Sequence, residues 1–516
     1  MFEINRRQLL AGTAAASLAL GTGLGFAPKA QAAEPKKGGH FRLALSGGAT
    51  ADSMDPATYA AGPVVFAALA ICNNLTEVDE NGNAIPELAE SWEASGDAKT
   101  WTFKLRQGIK FHNGKVMTSE DVIASFNHHR GKDSKSGAKS LLAGIKDIRA
   151  DGDSAVVFEL AEGNADFPFV PADYHLEIFP SADGKIDWKS GIGTGGYMLE
   201  SFEPGVRTVL KRNPDYWKQG RANFDTVEIL TINDPAARVS ALMTGGVDAV
   251  NSLDLKTVHL LKRNKNIVVE EVTGTSHYTL PMFADTAPFN DNNVRMALKH
   301  AIDREQLVET ILRGHGRPGN DSPITPANRY FNTDLPQRAY DADKAKYYLK
   351  QAGMSDLKVD LHTSDAAFSG AVDTAVLFRE SAAKAGIDIN VVREPADGYW
   401  SNVWLKKAFC MSYWNGRPTE DWMFSLVYAG GADWNDGHWN NERFNKLLVE
   451  ARAELDEAKR KAMYFEMQEL VYNDGSTIIP MYANYVDGRS AKIARGNLAS
   501  NRFLDGWKCI ERWWMA

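Results

Sequence analysis

The sequence is poor in the residues that build metal and redox centres. Its 516 residues include only three cysteines, Cys72, Cys410 and Cys509, far apart and without a Cys-x-x-Cys pair. They allow at most one disulfide, and Cys410, inside an apolar strand-like run, reads as a buried thiol. No His-Glu-x-x-His occurs, and His128 and His129 are adjacent rather than one helical turn apart, so zinc has no recognisable ligand set. A Gly-x-Ser-x-Gly elbow is also missing. Glycines stand at 191, 193, 195 and 196, but no Lys-Ser or Lys-Thr follows them, so this stretch reads as a turn rather than a phosphate cradle. These absences point away from an enzyme, and no cofactor or metal is expected. Bases are outnumbered by acids, 58 to 66, for a net charge of −8. That balance disfavours a nucleic-acid partner or an anionic membrane surface, both of which reward a basic face. No internal repeat and no low-complexity tract interrupts the chain after its first thirty residues, and no later run is apolar enough to span a membrane.

What is present is a globular composition, 44% hydrophobic and 10% aromatic, on a chain too long for one core, so two or three domains are expected. Arg6 and Arg7 precede an apolar stretch from Leu9 to Phe26 that ends near Ala30-Gln31-Ala32. Residues 1–32 therefore read as a cleavable signal peptide of the twin-arginine type, with an ordinary Sec signal as the alternative, and the protein is expected free in the periplasm as a monomer. Short strands are predicted at Gly39–Leu45, around Trp101–Leu105, over 145–160, and near 206–211 and 226–232. Thr118 or Ser119 is placed to cap a helix running to about His128. Helical periodicity is strongest at Val294–Arg313, Asp341–Ala352, Asp373–Ala385 and 443–473, with strands between these helices near 268–283, 357–362, 388–393 and 408–413. Such alternation predicts α/β domains with mixed sheets.

The densest feature is aromatic. Tyr399 to Trp439 holds six of the 13 tryptophans, interleaved with glycine, Asn415, Asp433, Asn435 and Asp436. Rings on loops suit a concave site, and an aromatic-rich core is the structural alternative. Arg417, between Gly416 and Pro418, is the natural carboxylate clamp because its planar fork donates two parallel bonds; a surface arginine is the alternative.

Several blocks then carry a family resemblance: Pro86-Glu87-Leu88-Ala89-Glu90-Ser91-Trp92, Trp101 to Gly114, Ser119-Glu120-Asp121-Val122, Gly193-Thr194-Gly195-Gly196-Tyr197, Arg212-Asn213-Pro214-Asp215-Tyr216-Trp217 and Val294-Arg295-Met296-Ala297-Leu298. In this order they resemble the family 5 extracellular solute-binding proteins, which include the dipeptide- and oligopeptide-binding components of bacterial ABC importers. The resemblance implies a two-lobed periplasmic binding protein of type II, cluster C-like, with an extra inserted domain. Lobe I would comprise 33–74, 195–281 and 491–516, the extra domain 75–194, and lobe II 282–490. A peptide or peptide-like solute would be captured between the lobes and delivered to the transmembrane subunits of an ABC permease. A non-peptide anion (an opine-like conjugate, a sugar derivative or a chelated metal) is the alternative, and a periplasmic enzyme or chaperone a remote one. The peptide binders carry an aspartate for the peptide amino terminus after the Trp-containing strand. An ungapped alignment from Trp414 puts Arg417 at that position, with Asp421 taking over only if the loop shifts. Trp414, Asn415 and Trp422 flank it. Ser364 and Asp365 match a segment reaching the far end of the ligand, or equally cap the helix that follows. Ser46, Asn73 and Asn74 match places where the first lobe faces the cleft, and Tyr278 sits near the crossing into the other lobe.

Overall fold

Alternation of Phe41, Leu43 and Leu45 turns one face of the strand His40–Leu45 into a core, and this strand lies at the centre of a nine-stranded mixed sheet. The computed structural model describes residues 35–516 apart from Ala60, Ala61 and Asp397, so the segment read as an export signal lies outside the described residues. His40–Leu45 pairs in parallel with Thr226–Thr231 on one side and Ala249–Val250 on the other. The remaining ladders are antiparallel: Tyr197–Glu203 and Arg207–Arg212 extend one edge, and Thr477–Ser490, Ile267–Pro281 and Ser412–Trp414 extend the other. The apolar run near residue 65 forms the helix Pro63–Ile71, buried on every side against Phe41, Tyr197, Phe224 and Trp513. Phe41 stacks on Phe224 with ring centroids 4.5 Å apart. Gly193 and Gly195 lie under this helix; a Cβ at either would overlap the Ile71 carbonyl, and one at Gly195 the Ala70 carbonyl as well, which explains these two glycines without a phosphate.

A second core is built from the four-stranded antiparallel sheet Ala89–Ala94, Thr100–Leu105, Ala155–Leu160 and Ile145–Ala150, with the helix Ser119–His128 laid on it. Thr118 and Asp121 form a reciprocal capping box at the start of that helix. A third surrounds the parallel pair Leu357–Thr363 and Ile387–Arg393, covered by the helices Asn292–Ala301, Ala342–Gln351 and Ala371–Ala383. A fourth gathers Phe424, Phe444 and Tyr464 from the helices Glu420–Val427, Glu442–Ala453 and Glu457–Asp474 around Trp414, at the end of the strand Ser412–Trp414, and Trp439, in a loop. Two long periodic stretches are each broken in two. Asp303 accepts the Gln306 N–H and opens Arg304–Thr310 as a new helix, and Asp456 does the same for Glu457–Asp474 through the Lys459 N–H. Among the described residues no helix is long and apolar enough to cross a membrane.

Ile267–Pro281 and Thr477–Ser490 form the longest ladder and run from one core into another. Ile267 and Val486 pack with Leu242 and Val250, whereas Leu280, Ile478 and Met481 pack with Leu361 and Phe378. Their register shifts between Thr273 and Ser276 and again between Tyr278 and Leu280.

The first and second cores are tied by a buried charge network. The Lys218 ammonium donates to Glu77 (2.7 Å), Glu87 (2.5 Å) and Glu511 (3.1 Å), and Lys508 and Arg512 complete the set. The three carboxylates converge to within 4.8 Å of one another, the spacing of a cation site, and Lys218 supplies the cation. Burial opposes ionisation of Glu77, yet Lys508, Lys218 and Arg512 together hold it well below the usual carboxylate range.

Candidate functional site

The strand Ser412–Trp414 ends in the loop 415–418, whose backbone lies directly against the Ile267–Pro281 strand. A Cβ on Gly416 would collide with the Thr275 side chain, so only glycine allows this approach. The next residue, Arg417, projects half-buried into a cleft. The opposite wall comes from Asp173 and Tyr174 and from the C-terminal segment Arg502–Trp507. Here the backbone is unusual: Leu504, Asp505, Gly506 and Trp507 have φ values of 47°, 63°, 65° and 68°, one turn of left-handed backbone. Such conformations cost about 1–2 kcal/mol per non-glycine residue and persist where the surroundings over-determine them. Asp505 does much of this by accepting the Ala499 N–H at 2.9 Å and the Trp513 indole N–H at 3.1 Å, while Leu504 donates its N–H to buried Asp487 at 2.6 Å. The turn delivers Arg502, Phe503 and Trp507 to the cleft together.

The cleft has two compartments that meet at Arg417, Arg502, Tyr174 and Trp507. The larger, about 780 Å³, is walled by Trp422, Trp434, Tyr485 and Phe503, with Asn415 and Asp433 at its edge. The smaller, about 80 Å³, is bounded by Arg329, Asn328, Asn501, Lys508 and Arg512. Gly274 makes room for the Tyr485 ring, which a Cβ there would strike. Arg417 donates to the Asn415 carbonyl at 2.7 Å and stands 5.8 Å above the Trp414 ring. Arg502 donates to the Gly416 carbonyl at 3.4 Å and lies over Trp507. Among the described residues neither guanidinium has a carboxylate partner. Burial, and then the charge of Arg502, lower the Arg417 guanidinium to about 10. Burial also drives His277, behind Arg417, down to about 4, with the Arg417 charge adding to the effect, so its ring is neutral at pH 7. Trp507 Nε1 and Asn501 Oδ1 are buried without partners among the described residues, one donor and one acceptor on the cleft wall.

Of the residues singled out from the sequence, Arg417, Asn415 and Trp422 line this cleft, and Trp414 lies beneath Arg417. Asp421 does not line either compartment; it sits in the first helical turn, paired with Arg452 at 3.0 Å, on a neighbouring cavity of about 440 Å³, and burial pushes its carboxyl up to about 6. Asn73 is engaged by Glu87, Tyr216, Thr194 and Trp217. Asn74 donates to the carbonyls of Pro171 and Asp173, so it shapes the wall without lining it. Ser46 is bonded to Asn251. Ser364 and Asp365 brace the turn before Ala371–Ala383, accepting from Ala366 and Val372, while the helix cap itself is Gly370. Tyr278 stacks on Phe368 with centroids 3.9 Å apart. The aromatic stretch divides: Phe424, Tyr428 and Trp439 are core, and Trp422 and Trp434 are cleft. Sequence reasoning missed Asp173, Tyr174, Tyr485, Arg502, Phe503 and Trp507; the only signal was Arg502-Phe503 and Trp507 close together near the C-terminus.

Asp436 holds two rings of this region by accepting the indole N–H groups of Trp404 (3.1 Å) and Trp414 (3.3 Å) on one oxygen. Burial pushes its carboxyl up to about 6. The folded chain therefore keeps a proton that the unfolded chain has released, and this group's contribution falls as pH rises from about 4 through 6. Asp436→Asn preserves an oxygen for both indoles and removes that slope. Thermal or urea denaturation should find the variant more stable than the parent by on the order of 2–3 kcal/mol at pH 8 and equal to it near pH 4.

A mixed α/β fold in two lobes, with a polar and aromatic cleft between separate cores, defines a solute-binding protein. The sequence profile described as bacterial extracellular solute-binding proteins, family 5 middle, matches residues 83–436. The oligopeptide-binding protein AppA of Bacillus subtilis (strain 168) is 26% identical over 484 residues, 86% of each chain. Periplasmic binding protein DppA from Helicobacter pylori, solved with the peptide STSA, superimposes with a TM-score of 0.73 at 25% identity, covering 93% of this chain and 98% of that one. HbpA2 from Haemophilus parasuis shares the fold, with a TM-score of 0.81 at 21% identity over 93% of this chain and all of its own. The chain belongs to the family 5 bacterial extracellular solute-binding proteins.

Proposed function

We propose that this protein is the periplasmic receptor of an ABC importer and that it takes up a peptide or peptide-like solute bearing a carboxylate. The observation that carries this reading is Arg417, half-buried in an aromatic cleft and paired with no carboxylate among the described residues. A guanidinium so placed favours a planar anion that accepts two parallel bonds. The orphan donor on Trp507 and orphan acceptor on Asn501 suit the C=O and N–H of a peptide bond. AppA and DppA, whose names and bound peptide identify peptide binders, support the same class of solute. In this reading 33–74, 195–281 and 491–516 form lobe I, 75–194 the inserted domain and 282–490 lobe II. The monomer closes on solute because contacts to both walls exist only in the closed state, and the loaded form docks on the permease subunits. The arginine pair Arg6-Arg7 and the apolar stretch after it supply export, by the twin-arginine or the Sec route. The charge of Arg417, where peptide binders of the family carry an aspartate, also favours a non-peptide acid as a second reading. Mass spectrometry of small molecules released from the protein purified from its native periplasm tests both. A bound peptide supports the first reading, a non-peptide acid replaces it with the second, and a neutral or cationic solute removes Arg417 from the argument.

A further inference from the structure

We infer that the cleft is matched to a solute with two anionic groups and one ammonium, an acidic dipeptide or an amino-acid conjugate of like charge, held by Arg417, Arg502 and Asp433. This rests on the solute-binding reading above and adds the charge of the solute and two further specificity residues. It follows from which charges on the cleft walls are already neutralised. Glu77 is matched by Lys218, Lys508 and Arg512, and Arg329 by Asp166 at 2.8 Å. Asp173 accepts from His175 Nδ1 at 2.6 Å, while His175 Nε2 faces the Tyr59 carbonyl at 2.9 Å. Asp173 is thus already hydrogen-bonded within its own segment, by the ring and by the backbone N–H of His175.

Three charged side chains of the larger compartment have no salt-bridge partner among the described residues: Arg417, Arg502 and exposed Asp433. The two guanidiniums are anchored on different cores, Arg417 beside Trp414 and Arg502 beside Phe503 and Trp507, yet Arg502 reaches the carbonyl next to Arg417. Two like charges in a partly desolvated cleft repel, and an anion between them converts that repulsion into two charge-assisted pairs. A plain dipeptide offers one carboxylate and leaves one arginine unmatched. A second carboxylate fills it, and Asp433 receives the ammonium. The compartment, about 780 Å³, lies within the roughly 300–1,000 Å³ range of small-ligand sites.

Calorimetric titration of the purified full chain with alanyl-glutamate, alanyl-alanine, alanyl-lysine and succinyl-alanine tests the charge count. Alanyl-glutamate should bind about tenfold or more tightly than alanyl-alanine, with alanyl-lysine weakest. In Arg502→Gln the preference for alanyl-glutamate over alanyl-alanine should shrink toward unity. In Asp433→Asn affinity should fall for alanyl-glutamate and not for succinyl-alanine, which has no ammonium. Circular dichroism melts confirm that the variants are folded, and Asp433, on the surface, gives a test independent of the buried wall. Equal binding of alanyl-glutamate and alanyl-alanine overturns the inference and leaves the peptide reading standing. Binding of succinyl-alanine alone overturns the Asp433 assignment and the peptide reading together, and binding of none of the four overturns both.

Discussion

Arg417→Ala should weaken solute binding roughly 10- to 100-fold while leaving the fold intact. The side chain projects into the cleft, and its one hydrogen bond among the described residues goes to the carbonyl of Asn415, two residues away. Its removal therefore strands no buried carboxylate, and stability should move little. Binding, by contrast, loses a charge-assisted pair worth about 1.5–3 kcal/mol in a cleft where water is partly excluded. Arg417→Lys should recover only part of the loss, because an ammonium is a point charge and cannot present a planar fork. Calorimetry with the solute identified by mass spectrometry checks both variants; an affinity within about twofold of the parent for Arg417→Ala would remove the residue from the site.

The largest effect on stability is expected from Lys218→Met. Lys218 is enclosed by Glu77, Glu87 and Glu511, all buried, and burial alone would discharge it. Glu511, Glu87 and Glu77 instead raise its ammonium well above its ordinary range. Methionine fills the volume but leaves three converging carboxylates with only Lys508 and Arg512 to answer them. Breaking one side of a buried network of this kind costs about 3–5 kcal/mol, whereas replacing it whole with apolar side chains is often neutral. Urea unfolding should show the drop in midpoint. The network joins Glu77 and Glu87 to Glu511 near the C-terminus, so the transition should also lose cooperativity between those regions. A loss below about 1 kcal/mol would mean that the carboxylates take up protons and need no cation.

Most elements were legible because their periodicity and caps were local. The helices Ser119–His128 and Ala342–Gln351 and the strands Leu357–Thr363 and Ile387–Arg393 fall where the pattern placed them. Thr477–Ser490 did not announce itself, although it is central to the main sheet. Pro480 argues against a central strand, and Asp487-Gly488 imitates a turn. The structure accommodates the proline at the register shift between Tyr278 and Leu280, where its missing N–H breaks no ladder bond, and its carbonyl is taken by the Gly319 N–H at 2.8 Å. Asp487 is buried as an acceptor for Ser252 and Leu504 rather than exposed in a turn. In the cleft, Arg417 was legible because its neighbours in sequence are also its neighbours in space. Arg502 was not, since it meets Arg417 only through a bond between residues 86 positions apart, and a left-handed turn with a single glycine leaves no signature.

The shift between Thr273 and Ser276 gives the two long strands a mechanical meaning. A continuous ladder runs straight; an irregularity in its register bends the strand and raises its local twist. The loop bearing Arg417 rests on that place, Gly416 against Thr275, and Tyr485 covers Gly274 from the partner strand. In the proposed reading, a solute held by the arginine would therefore act beside the bend of the ladder rather than at its end.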